Sequence, residues 1–480
     1  MKPLVSAVVV CVVALFARAN GLTFSTDPTS DVLSTVSTSF LSVALDTGLI
    51  ASADFSNPTF SKLVKLLAPM HFRIGGTAAD VLSFVDDSDL DTTSKVGDDL
   101  VLTASSWLKL AEFAKNSEVT ILFDLNSLLR NEDGSWNQEN AEQLIKFSRE
   151  HDIELDWELG NEPDLYQALY SREVSAYQLA VDYHNLRALL DQYQYDSSLL
   201  VGPSMFDVGS SDSTTSYLWN FVYEASSSIS AVTWHQYYFN GRDATEELFL
   251  NPETFDYLKQ RTEVVNDIVG ASKRVWLGET SSCYNQGAPG MSDRVLASFL
   301  WLDKLGLGAQ LGLDVIVRQT IWGYNYPLLD SDYNPNPDWW ISALYKKFVG
   351  PKVLSIENDG GDSLPVRLYA HCAKPDDQWG DNAVVVFGIN LANSTQKFSL
   401  SGFSPEVKTD GNLGFLFELT AETDLYSQSF RLNGGLLSLT EDLELPDLGV
   451  RIIDMEKIYT MAAHSLAFWL LPNSRVQACK

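Results

Sequence analysis

The sequence predicts an α/β protein: a (β/α)8 TIM barrel followed by an antiparallel β-sandwich. Three observations predict it. Eight short apolar runs alternate with helical stretches through the first two thirds of the chain. After about Gly350 that alternation stops, and strand-like segments follow one another between Gly- and Asn-rich turns. The length, 480 residues of which 45% are hydrophobic and 11% aromatic, suits one large barrel with a smaller partner and excludes a disordered chain.

Taken in order, residues 1–19 read as a secretory signal peptide. Lys2 gives a positive start, Leu4 to Phe16 is an apolar run, and Ala17-Arg18-Ala19 is a cleavage signal. Residues 20–39 are rich in Ser and Thr and are expected to lend a strand to the sandwich. The barrel is expected over 40–345. Its strands are read at Phe40 to Asp46, His71 to Gly75, Thr120 to Asn126, Leu155 to Asn161, Leu199 to Pro203, Ala231 to Tyr238, Val275 to Glu279 and Val315 to Gln319. Amphipathic stretches such as Asn140 to Arg149 and Ser175 to Tyr193 fall between them, which predicts parallel pairing. The sandwich is expected over 346–480, with strands such as Val366 to His371, Ala383 to Leu391 and Phe415 to Leu419.

The net charge is −30, and −32 without the signal segment. Nucleic acid and anionic membrane surfaces are excluded as partners, because both need basic surface. No stretch of about 18 apolar residues is present, so no membrane insertion is expected. Removal of the signal leaves Cys283, Cys372 and Cys479. That odd count permits at most one internal disulfide, and position favours Cys372 with Cys479, both late in the chain. Asn393-Ser394-Thr395 is an acceptable glycosylation sequon, whereas Asn57-Pro58-Thr59 is disqualified by its proline.

Active sites of such barrels lie at the C-terminal ends of the strands. The fourth strand runs into Trp157-Glu158-Leu159-Gly160-Asn161-Glu162-Pro163, and the seventh ends in Trp276-Leu277-Gly278-Glu279-Thr280. Two carboxylates at opposed strand ends suit glycoside hydrolysis, which needs an acid and a nucleophile or base. Strand alternation puts His235 and Tyr237 on one face, where an imidazole or phenol would orient the nucleophile. Arg73 would keep a buried nucleophile ionised, or would form a structural ion pair inside the barrel. Asp46 and Gln319 end the first and eighth strands, where sugar hydroxyls need partners. Trp322, Tyr324 and Tyr326 follow and either stack on sugar rings or pack. The six His residues show no metal-ligand spacing, no G-x-S-x-G elbow appears, and Gly306, Gly308 and Gly312 fail the dinucleotide spacing. No metal and no cofactor are expected.

The motifs SFLSVALD, RIGGT, WELGNEPD, TWHQYYFNGR, WLGETSS, WLDKLGL, VRQT and NPDWW resemble those of the heparanase group of β-glucuronidases, glycoside hydrolase family 79. HQYYF and NPNPDWW are at least as similar to the leech hyaluronidase type. The resemblance covers nearly the whole mature chain and implies the same barrel and sandwich. It implies that Glu162 is the general acid/base, Glu279 the nucleophile, and Asn161 a partner of the sugar 2-hydroxyl. It places Asp46, Thr77, Tyr284, Arg242, Gln319 and Tyr326 around the sugar subsites, and pairs Cys372 with Cys479. Cys283 is expected to be a free, buried thiol without a catalytic role.

Three departures bear on substrate. Only Asp86 to Leu108 joins the second strand region to the next helix, so the linker that vertebrate members excise is missing and a monomeric single chain is expected. Ala78 and Ala168 stand where Lys is expected, and Phe206 to Thr214 carries no Arg or Lys. Asn285-Gln286 replaces a glycine pair. The expected function is retaining endo-β-glucuronidase action on a glycosaminoglycan polysaccharide (heparan sulfate or hyaluronan), outside the cell or in lysosomes. Exo action, or a non-catalytic sugar-binding paralogue, stays open.

Overall fold

The computed structural model describes residues 22–89, 100–361, 364–404 and 412–480. The expected signal segment lies outside them, as do residues 90–99 of the short connection after the second strand. Eight parallel strands form the barrel: β1 (Leu41–Asp46), β2 (His71–Gly75), β3 (Thr120–Leu125), β4 (Asp156–Leu159), β5 (Val201–Phe206), β6 (Ala231–Gln236), β7 (Arg274–Thr280) and β8 (Val315–Gln319). They are hydrogen-bonded in the order β4-β3-β2-β1-β8-β7-β6-β5, and a bridge between Trp157 and Leu200 closes the ring.

Period-2 alternation sorts the strand residues. Val43, Leu45, Phe72, Ile74, Ile121, Phe123, Trp157 and Leu159 face the surrounding helices and join the main core. Ala44, Leu122, Val201, Ala231, Trp276, Val315 and Val317 form a separate small cluster that fills the barrel interior. The same inward parity carries Arg73, Asp124, Glu158 and Thr233, so the upper barrel interior is charged.

The sandwich consists of a large antiparallel sheet running from Val349–Leu354 to Gly435–Leu436 and a smaller one containing Leu22–Ser25, Gln396–Ser401 and Tyr459–Met461. Leu22–Ser25 lies parallel to Gln396–Ser401, and Ser34–Thr35 pairs with Val349–Leu354. Phe24, Leu368, Phe398 and Trp469 pack between the two sheets. Cys372 and Cys479 are disulfide-bonded, and Cys283 is free and buried. The outer face of the large sheet covers the helix Val295–Gln310, whose residues are buried nearly all round. A helix held between barrel and sheet has no face turned to water, which is why most of its residues are apolar.

Strand limits differ from expectation where the chain slips register. The fifth strand does not stop at Pro203 but runs on to Phe206. Pro203 pairs with Thr233 and Met205 with Trp234, so Ser204 is bulged out with φ 55°. The fourth strand ends early, at Leu159, because Gly160 at φ 81° turns the chain.

Candidate active site

Arg73 is the hub. Fully buried, it donates from Nε to Glu158 (2.7 Å), from Nη1 to Glu279 (2.7 Å) and from Nη2 to Asn161 Oδ1 (2.9 Å), with Asp124 3.6 Å away. Burial opposes its charge, but Glu158, Glu279 and Asp124 outweigh that and hold the guanidinium firmly protonated. Three carboxylates around one cation leave excess negative charge. Burial, then the Glu158 charge, pushes the Asp124 pKa well above its ordinary value. Glu158 also accepts from Ser204 Oγ, the bulged residue of β5, and from Thr233 Oγ1 at 3.3 Å.

Strict alternation from Trp276 would turn Glu279 outward with Leu277. A register slip prevents this: Trp234 pairs with Leu277 and His235 with Glu279, so Gly278 is skipped. Glu279 then faces the site, 7% exposed. Its Oε2 accepts from Arg73 and its Oε1 from the Tyr237 hydroxyl at 2.7 Å. Burial favours its neutral form, but His235, Arg73 and Tyr237 together hold its pKa below the ordinary glutamate value.

Glu162 sits at φ 54° just past β4, and its N–H donates to Ser204 O at 2.9 Å. Its Oε1 lies 2.9 Å from His235 Nδ1. One ligand atom each of Glu162, His235 and Glu279 lies within 4.8 Å of the others. That trio has the makings of a cation site. However, both Glu279 oxygens are taken by Arg73 and Tyr237, and a guanidinium already neutralises the carboxylate, so a metal ion fits poorly.

His235 and Tyr237 do share a face, yet they divide the work. Tyr237 holds Glu279, whereas His235 holds Glu162 and not the expected nucleophile. Arg73 pairs both with Glu279, the expected nucleophile, and with Glu158 inside the barrel. Asp46 accepts from Gly48 N–H (2.9 Å) and lies 3.5 Å from Gln319 Nε2. Burial raises its pKa to about 6, against the Gly48 hydrogen bond and with a contribution from Glu279. Gln319 Oε1 is buried with no partner. Tyr326 is buried beside it, and Tyr284 stands edge-on to Phe206 with ring centroids 5.8 Å apart. Thr77 is exposed, and its carbonyl accepts from Tyr170 Oη at 2.6 Å. Arg242 is exposed. Trp322 packs towards Tyr333. Asn393 is exposed, on the sandwich. Asn285 (φ 60°) and Gln286 (φ 65°) keep the left-handed backbone that a glycine pair would adopt.

Sequence reasoning passed over Asp80, Asp124, Glu158, Ser204 and Asp164. Asp80 is fully buried and accepts from Asn161 N–H (2.9 Å), Tyr166 Oη (2.9 Å) and Ser127 N–H (3.1 Å), so it fixes the turn that aims Glu162. Burial, against these hydrogen bonds, lifts it to about 6. Asp164 accepts from Phe206 N–H at 3.1 Å, and burial lifts it to about 7. A signal existed for two of them: Asp124 and Glu158 are charges at the inward parity of apolar strands.

Residues 39–306 match the family model for the glycosyl hydrolase family 79 N-terminal domain. The chain belongs to that family. It is 33% identical to heparanase of Mus musculus over 97% of this chain and 98% of that one. It is 31% identical to hyaluronoglucuronidase of Hirudo nipponia over 94% and 98%. Inactive heparanase-2 of Homo sapiens is also similar, 32% identical over 79% of this chain and 66% of its own length. Among solved structures, a 4-O-α-L-rhamnosyl-β-D-glucuronidase from Fusarium oxysporum superposes with a TM-score of 0.69 at 17% identity, covering 94% of this chain and all of that one. The glycosidase barrel-and-sandwich fold is therefore shared.

Proposed function

We propose that this glycoside hydrolase is a retaining endo-β-glucuronidase that cleaves glucuronate linkages in a glycosaminoglycan of low sulfation. The convergence of Glu162 and Glu279 carries the reading. Their nearest oxygens come within 4.8 Å, on the side of the separation, about 5–5.5 Å, that suits attack by one carboxylate while the other protonates the leaving oxygen. Glu279, held ionised by Arg73 and Tyr237, attacks the anomeric carbon. Glu162, backed by His235, donates a proton to the departing oxygen and then takes one from water. Asn161, held by Arg73 and Asp80, meets the 2-hydroxyl of the sugar in this reading. Asp46, Gln319 and Tyr326 are the remaining partners of the sugar in the −1 position, with Thr77, Tyr284 and Arg242 towards its rim.

Heparanase and hyaluronoglucuronidase among its relatives support a glucuronate in that position. The strong net negative charge disfavours sulfated flanking sugars, whose desolvation needs Lys and Arg. Hyaluronan and poorly sulfated heparan sulfate avoid that penalty. The intact chain acts without linker excision, after export from the cytosol. No helix among the described residues is long and apolar enough to cross a membrane.

The second reading is a non-catalytic sugar-binding protein, favoured by the likeness to an inactive relative. Both carboxylates are present here with an intact hydrogen-bonded setting, which favours turnover. The deciding experiment sizes the products from hyaluronan, low-sulfate heparan sulfate and heparin, with a glucuronide-based covalent inhibitor run in parallel. Oligosaccharide products and labelling of Glu279 are expected. Binding without cleavage establishes the second reading, and release of monosaccharide alone establishes exo action.

A further inference from the structure

Lys304 lies on the helix Val295–Gln310 behind the active site and is 1% exposed. Its Nζ donates to Gln236 Oε1 (2.8 Å), Thr280 Oγ1 (2.5 Å) and the Ser281 carbonyl (3.0 Å), and lies 4.2 Å from the centre of the Tyr238 ring. Thr280 Oγ1 in turn donates to the Gln236 carbonyl. Gln236 is the last residue of β6 and precedes Tyr237. Thr280 is the last residue of β7 and follows Glu279.

No carboxylate among the described residues pairs with this amine. Asp303, its neighbour in sequence, is turned away and accepts from Arg367 Nε (2.7 Å) and Tyr369 Oη (2.6 Å). Burial, with Arg318 adding to it, favours the neutral amine, while Asp303 opposes. Burying an amine without an ion pair costs stability that Leu or Met at this apolar interface would not. Helix packing therefore does not account for a lysine here, and its three acceptors do: all lie at or just past the ends of β6, which leads into Tyr237, and β7, which carries Glu279. Those strands are also the ones whose register slips at Gly278, where ladder hydrogen bonds alone do not set the spacing.

We propose that Lys304 is a positioning residue, tying the ends of β6 and β7 together so that the Tyr237 hydroxyl meets Glu279 across the register slip. The inference rests on the glucuronidase reading for its rate measurement, and on geometry alone for its structural one.

The test compares Lys304→Met and Lys304→Gln with the wild type, using an aryl β-glucuronide, thermal melting and crystal structures. In Lys304→Met the melting temperature should hold or rise. kcat should fall about 10- to 100-fold with KM within about threefold, because a misplaced group affects the transition state more than binding. The acid limb of kcat/KM should move to higher pH, since weaker Tyr237 donation makes Glu279 harder to ionise. The Tyr237–Glu279 separation should open beyond hydrogen-bond reach, above about 3.2 Å. Lys304→Gln, which keeps an N–H donor for one strand end, should fall between, and it carries the same comparisons if the methionine variant does not fold. Unchanged kcat, or a rate loss that tracks a fall in melting temperature with the acid limb unmoved, overturns the proposal. A wild type without glucuronidase activity overturns the functional reading instead. The crystallographic separation then decides on Lys304: an unchanged value overturns the proposal, and an opened one supports it.

Discussion

At the residue scale, the site separates two glutamates by their surroundings. Glu279 is held by a guanidinium and a phenol, and Glu162 by an imidazole on a left-handed turn. Glu162→Gln should therefore lose about 10²- to 10⁴-fold on polysaccharide, and far less on an aryl glucuronide whose leaving group departs without protonation. Equal losses on both substrates would remove Glu162 from the acid role. Asp80→Asn tests the turn that carries Glu162. An amide cannot accept from Asn161, Tyr166 and Ser127 with both of its polar atoms, so the turn should loosen and kcat should drop about tenfold or more, with Glu279 still open to covalent labelling. The glutamates, Arg73, His235 and Tyr237 were readable from sequence because strand ends and strand parity point to them. That His235 serves Glu162 while Tyr237 serves Glu279 was not readable, because it depends on the skipped residue Gly278. The buried supports, Asp80 above all, lie on loops whose hydrogen bonds no periodicity encodes.

At the element scale, irregularities do the aiming. Bulges at Ser204 and Gly278 and the turn at Gly160 each bring a polar side chain to the site. A Cβ on Gly160 would lie 2.4 Å from Tyr166 Oη and 2.5 Å from Ser127 Oγ, in a backbone at φ 81°. Gly160→Ala should therefore destabilise the protein by about 1–3 kcal/mol and abolish turnover, as read by melting and by rate. In the sandwich, the Cys372–Cys479 bridge closes a separation of 107 residues. Cys479→Ser should cost roughly 2–5 kcal/mol while sparing the carboxylate geometry, so activity at low temperature should persist. All eight barrel strands were legible, since apolar runs alternating with helices admit few folds. Their ends were not: Pro203 argued for a stop, and the bulge after it carried the strand on to Phe206.

At the scale of the whole molecule, acidity sets behaviour. The charge of −30 repels sulfated polymer over about 8 Å at physiological salt, and buried and half-buried carboxyls tie stability to pH. Asp46 and Asp80 titrate at about 6 and Asp164 at about 7, all raised from an ordinary 3.8 chiefly by burial. Between pH 4 and pH 7 the folded chain thus binds more protons at these sites than the unfolded chain. Stability from them is fully present below about pH 4 and is lost as pH rises through 6 and 7. Glu279 acts oppositely: its lowered pKa gives stability that disappears only as pH falls below the ordinary glutamate range. The two trends place maximum stability in mildly acid solution. The melting temperature should be a few degrees higher at pH 5 than at pH 8, and triple replacement by Asp46→Asn, Asp80→Asn and Asp164→Asn should flatten that difference. A melting temperature that climbs steadily from pH 5 to pH 8 in the wild type would show that these three carboxyls are ionised in the folded protein.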